Sequence, residues 1–132
     1  MMQNLNQLKK IDMQYDAVIR CRDEIKWLPK VIESLKQQTI QPSKIILVDN
    51  SSIDGSREYA LEQGCSVVKY NKTKFNYSYA LNIGIKETTK NEILILSAHC
   101  VIQTVNSVEN LINVRHKYKA SGVYGRQIPT ID

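Results

Sequence analysis

Two short, unbroken apolar runs constrain this chain most: Ile45-Ile46-Leu47-Val48 and Ile93-Leu94-Ile95-Leu96. A strand with one wet face alternates apolar and polar residues. A strand apolar at every position is covered on both faces, which is the signature of a parallel sheet with helices on either side. The rest of the sequence supplies those helices. Ile25 to Gln38 carries Trp27, Leu28, Val31, Ile32 and Leu35 at helical spacing, with Trp27 read as core or as a helix anchor, and Pro42 breaks the chain after it. Asp54-Gly55-Ser56 is a turn in which Asp54 caps a helix over Arg57 to Gln63, and Gly64 ends that helix. Further helices are predicted over Tyr77 to Thr88 and Val105 to Tyr118, the latter with Val105, Val108, Leu111, Ile112 and Val114 as its apolar set. The strands are Asp16 to Arg20, Lys44 to Asp49, Ser66 to Tyr70, Glu92 to Leu96 and a short fifth, Gly122 to Tyr124. Strand and helix in strict alternation define an α/β domain, here residues 15–132, preceded by an N-terminal extension, 1–14.

A chain of 132 residues buries enough surface to fold without disulfides or a structural metal. The three cysteines, Cys21, Cys65 and Cys100, are widely spaced and form no C-x-x-C pair, as expected of reduced thiols in a cytoplasmic protein. Met1 to Lys10 lacks the apolar centre of a signal peptide, and no apolar run approaches the ~20 residues of a membrane span. The net charge of +5 suits an anionic ligand or a peripheral position on the inner face of a membrane. No basic run with interleaved aromatics is present, so nucleic acid is not an expected partner.

In open parallel sheets ligands sit at the carboxyl ends of the strands. That rule selects Cys21-Arg22-Asp23-Glu24, Asp49 to Asp54, Asn71 to Asn76, and Ser97-Ala98-His99-Cys100. Asp49 follows a buried strand, where a carboxylate is costly without a partner, so it is assigned to a ligand. The small polar Asn50-Ser51-Ser52 beside it lets that ligand approach. Arg22 reaches a phosphate, lies across a base, or is a solvated arginine. Glu24 belongs either to the site or to the first turn of the next helix. His99 is placed for a metal or a phosphate but is equally a structural histidine, and His116 is plain surface. Gly84 lies inside a helical pattern, where it costs about 1 kcal/mol against alanine, so close packing on the sheet or room for a ligand is expected there. Asn82, at about the same depth, is read as holding a neighbouring loop.

Asp16 to Glu24, Ile45 through Asp49 to Ser56, and Ala80-Leu81-Asn82-Ile83-Gly84 together resemble the family 2 glycosyltransferases of GT-A fold. The second segment is similar to that family's "VVD-x-x-S-x-D-G-[ST]" motif and the third to its "A-x-N-x-G" helix. Phe75-Asn76-Tyr77, Leu96 to Cys100 and Gly122 to Pro129 resemble a bacterial, rhamnosyltransferase-like subgroup acting on surface polysaccharides. The resemblance implies a nucleoside diphosphate sugar as donor, a glycan or lipid-linked acceptor, and inverting transfer. It implies that Cys21, Arg22 and Glu24 border the nucleotide and that Asp49 and Ser51 lie at its base or ribose. It puts Asn82 in the site and sets Ser97 and His99 at the family's D-x-D metal position. Serine is a poor ligand for Mg²⁺ or Mn²⁺, so His99 is the one candidate ligand there. The resemblance further implies an incomplete GT-A domain, interrupted after the fifth strand, whose catalytic base and acceptor half lie beyond Asp132. Two other classes stay open: a non-catalytic nucleotide-binding module and a protein that self-associates as a homodimer or with a missing-half partner. A G-x-G-x-x-G dehydrogenase and a P-loop kinase are disfavoured by the absence of their motifs.

Overall fold

The computed structural model describes residues 13–71 and 76–130. Most of the expected N-terminal extension, Phe75 and Asp132 fall outside them. In chain order the elements are β1 (Tyr15–Cys21), α1 (Leu28–Lys36), β2 (Lys44–Asp49), α2 (Ser56–Glu62), β3 (Ser66–Lys69), α3 (Tyr77–Lys86), β4 (Glu92–Ser97) and α4 (Ser107–Tyr118). The four strands form one parallel sheet in the order β3-β2-β1-β4. This is the doubly wound α/β arrangement expected from the alternating sequence. The chain adds β2 and β3 on one side of β1, then crosses to place β4 on the other. The change of direction between β1 and β4 makes the crevice where such folds bind ligands.

Strand periodicity divides the core in two. Ala17, Ile19, Cys21 and Leu47 point to one face and pack with Leu28, Val31, Ile32 and Leu35 of α1, Ala60 of α2, and Val108 and Ile112 of α4. Val18, Ile46 and Val48 point to the other face, against Ala80 of α3 and Tyr70. In α1 the buried residues recur at helical spacing, and Pro29 sits in the first turn, where its missing N–H costs nothing. In α3, Asn76 caps the helix: its Oδ1 accepts the Tyr79 N–H at 3.0 Å. Gly84 is the contact point of α3 with the sheet. A Cβ there would lie 2.6 Å from Val18 Cγ1 and 2.7 Å from Val48 Cγ2.

Several elements differ from the sequence reading. Gly122 to Tyr124 form no strand; residues 122–130 carry no regular structure. Val123 instead lines a groove with Leu94 and Ile112, a position reached without a sheet partner. The first helix starts at Leu28, with half-buried Trp27 at its N-cap and the Lys26 and Lys30 ammonium groups 5.5 and 4.9 Å from its ring. That makes Trp27 a helix anchor, not core. The last helix starts at Ser107, and Val105 and Val114 are exposed.

Candidate functional site

The loops that leave β1 and β2 are fastened together above the sheet. Asn50 N–H donates to the Cys21 carbonyl (2.9 Å), Asp23 N–H to Ser52 Oγ (2.9 Å), Glu24 N–H to Ser56 Oγ (3.0 Å) and Ile25 N–H to Asp54 Oδ2 (2.9 Å). Ile53 N–H returns a bond to Asp23 Oδ1 at 2.7 Å. Asp23 and Ser51 hold left-handed backbone angles, φ 51° and 55°, a conformation that residues with a Cβ adopt at a cost. The cross-loop bonds hold them there. Asp54 thus does more than cap. Its Oδ1 accepts Ser56 N–H at 3.0 Å while Gly55 occupies the N-cap position, and its Oδ2 reaches the other loop. Burial raises the Asp54 pKa, but the hydrogen bonds from Ser56 and Ile25 outweigh it and leave the carboxyl below its ordinary range.

Asp49 ends β2 and is fully buried. Its Oδ2 accepts Ser52 N–H at 3.2 Å and lies 3.6 Å from Arg57 Nη1. Its Oδ1 has no partner among the described residues. A buried carboxylate oxygen left open is expensive. Arg22 and Ser51 are exposed at the loop tips. Glu24 is half-buried, and its Oε1 lies 3.2 Å from His99 Nδ1, which ties the loop after β1 to the loop after β4. Glu24 is therefore not in the first turn of α1; it stands in the crevice.

The Cys21 side chain is buried in the core cluster, and its backbone carbonyl accepts the Asn50 N–H. Burial pushes its thiol up to about 11, with the hydroxyls of Ser56 and Ser52 acting in the other direction. Asn82 does not share the depth of Gly84; it lies on the exposed side of α3. His116 is exposed, as expected, and its Nε2 lies 2.9 Å from Glu92 Oε1, while Arg115 Nε donates to Glu92 Oε2 at 2.7 Å. These three groups line a cleft of about 420 Å³ at the opposite end of β4 from the strand-end crevice.

Arg20 escaped the sequence reading. It lies in register with Val48 on one side and Ser97 on the other. Its Nη2 donates to Ser97 Oγ at 2.9 Å, and its guanidinium stacks 4.6 Å from the centre of the Tyr77 ring. Its Nε is buried with no partner among the described residues, and so are Asn50 Nδ2 and the Tyr70 hydroxyl. The signal that marks it is a cation inside the otherwise apolar Ala17-Val18-Ile19-Arg20-Cys21. Of the two residues expected at the metal position, Ser97 is thus held by Arg20, and His99 is exposed beside Glu24. No group of three His, Cys, Asp or Glu able to hold a metal ion exists among the described residues. The donor set does not fit a divalent cation.

The parallel sheet in the order β3-β2-β1-β4, with helices on both faces, defines a doubly wound α/β protein. The family model for glycosyl transferase family 2 matches residues 16–132, and the chain belongs to that family. It is 27% identical over 106 residues to the O-antigen chain rhamnosyltransferase RfbN of Salmonella typhimurium, covering 79% of this chain and 34% of that protein. The chain spans about a third of the length of the curated relatives it matches. Its fold is similar to S. aureus TarS (TM-score 0.70, 15% identity, 88% of this chain and 23% of that one). It is also similar to the Pyrobaculum calidifontis mannosyltransferase PcManGT, solved with GDP-Man and Mn²⁺ (TM-score 0.64, 16% identity, 76% and 32%). The parallel sheet is thus that of GT-A glycosyltransferases.

Proposed function

We propose that this chain forms the donor-binding part of an inverting glycosyltransferase that moves a sugar from a nucleoside diphosphate to an acceptor hydroxyl in surface polysaccharide synthesis. Family membership and the O-antigen relative support the sugar chemistry and the setting. The observation that carries the donor site is Asp49, a fully buried carboxylate at a strand's carboxyl end with one oxygen unpartnered among the described residues. A base N–H or a ribose hydroxyl is a donor of the kind that oxygen lacks. Arg22 and Ser51 at the loop tips border the nucleotide, and Glu24 with His99 closes the side of the crevice toward β4. The acceptor is a glycan or a lipid-linked saccharide. The acceptor hydroxyl must lose its proton to a base within ~3 Å, and no group near the crevice is assigned that part, so this chain by itself transfers sugar slowly or not at all. The +5 charge suits work at the inner face of a membrane. Among the described residues no helix is long and apolar enough to cross one.

Calorimetry with UDP, dTDP, GDP and CDP tests the reading. One nucleotide is expected to bind selectively, and Asp49→Ala is expected to weaken it by about 1–3 kcal/mol, the worth of a hydrogen bond to a charged group. Unchanged affinity in a folded Asp49→Ala variant removes Asp49 from the site. Absence of binding by all four nucleotides refutes the donor reading.

A further inference from the structure

Resting on that donor reading, we propose that Arg20 supplies the positive charge that a metal ion would supply at the D-x-D position, so that the nucleoside diphosphate binds here without a divalent cation. The argument starts from Ser97. A hydroxyl has one hydrogen to donate and two lone pairs to accept with. The Arg20 Nη2–H already occupies the oxygen at 2.9 Å. A metal ligated by Ser97 would have to share that oxygen with a guanidinium and sit beside its positive charge. With Arg20 donating to its oxygen, Ser97 keeps its own O–H to donate, a group suited to an anion.

Arg20 is also a cation in want of an anion. It is half-buried, and among the described residues no carboxylate lies within ion-pairing distance of it. Its buried Nε–H has no acceptor there either. The Tyr77 ring supports one face of the guanidinium, a contact that orients the group without neutralising it. Burial raises the pKa of the Tyr70 hydroxyl, and the charges of Arg20 and Arg22 both oppose that rise, so the two guanidiniums act on the same corner of the crevice. A planar fork beside a hydroxyl donor matches the paired oxygens of a diphosphate, and arginine keeps its charge at every working pH. The strand register fixes the place: Arg20 and Ser97 are neighbours across β1 and β4, at the switch point itself.

The test uses nucleotide diphosphate binding by calorimetry, with EDTA and separately with Mn²⁺, and titration of Mn²⁺ alone by the loss of its free-ion electron paramagnetic resonance signal. The expected result is the same dissociation constant in both buffers and no Mn²⁺ uptake by the protein. Arg20→Met, of similar length but uncharged, is expected to weaken the diphosphate by about tenfold or more and the bare nucleoside hardly at all. Arg20→Lys should restore much of the loss, and a circular dichroism spectrum shows whether either variant is folded. Should Arg20→Met fail to fold, the Arg20→Lys variant and the two-buffer comparison carry the test. Binding about tenfold tighter with Mn²⁺, or equal affinity in folded Arg20→Met, overturns the inference and leaves the donor site standing. No binding in either buffer overturns the donor reading and this inference with it.

Discussion

Gly84→Ala probes the join between the helix that carries the family's A-x-N-x-G pattern and the sheet that carries the site. On an exposed helix the change would stabilise by about 1 kcal/mol, because alanine is the better helix former. Here the new methyl would lie 2.6 Å from Val18 Cγ1 and 2.7 Å from Val48 Cγ2. Carbon atoms rest about 3.5–4.0 Å apart, so each contact must open by roughly an ångström. Neither valine can comply by rotation: both are β-branched, both are fully buried, and each stands on a central strand. The helix must lift instead, which loosens Ala80 against the same face. Overpacking of this kind costs about 1–3 kcal/mol. Two simultaneous clashes with stiff partners belong at the upper end, about 3 kcal/mol, and subtracting the propensity gain leaves a net loss of about 2 kcal/mol. With a slope of about 1–3 kcal/mol per molar urea, the unfolding midpoint should fall by roughly 1 M. Val48→Ala alone should also destabilise, by opening a cavity. Combined with Gly84→Ala it should cost less than the two losses added, because the second methyl fills part of the space left by the first. A Gly84→Ala protein as stable as the parent, or strictly additive losses in the pair, would refute the close-contact reasoning.

Two further outcomes follow from the hydrogen bonds. Asp54→Ala removes the acceptor shared by Ile25 N–H and Ser56 N–H, so urea unfolding should show a loss of about 1–2 kcal/mol; nucleotide affinity should fall as well, since the loop bearing Arg22 and Glu24 loses a tie. The Glu92 carboxyl is held below its ordinary 4.5, chiefly by the hydrogen bond from Arg115, against the opposing effect of burial. A depressed folded-state pKa stabilises fully above the unfolded value and loses that contribution as pH falls through the folded one. The urea midpoint should therefore decline below about pH 4.5, and the decline should be shallower in Glu92→Gln; equal pH profiles for the two proteins would detach Glu92 from the acid limb.

The sheet was legible in the sequence because short, wholly apolar runs have little use but as strands. Ile45 to Val48 forms the central strand β2, where Ile46, Leu47 and Val48 are buried, but Ile93 to Leu96 forms the edge strand β4, where Ile95 is exposed, so cover on both faces holds for the first run and not for the second. Gly84 was legible for a similar reason, since a glycine within a helix needs a cause and the sheet supplies it. Gly122 to Tyr124 misled because three residues with some strand character specify no partner, and pairing is a property of two segments. The site was half legible. Asp49 stands where a strand-end argument puts it, and Glu24 and His99, named from separate loops, meet at 3.2 Å. The inward direction of the Cys21 side chain follows from the alternation, which a strand's last residue still obeys. The same alternation decides Arg20. One position earlier, it faces the opposite side, where register brings it to Ser97, a residue 77 positions away. No local pattern contains that pairing, because it exists only once the fourth strand has crossed to the far side of the first. The feature that separates this crevice from a carboxylate metal site is thus written in two segments that become one site through topology. A substitution at either residue should consequently be read out at the other: Ser97→Ala strips Arg20 of a hydrogen-bond acceptor already in short supply around it, and should weaken diphosphate binding through the arginine as well as through the missing hydroxyl.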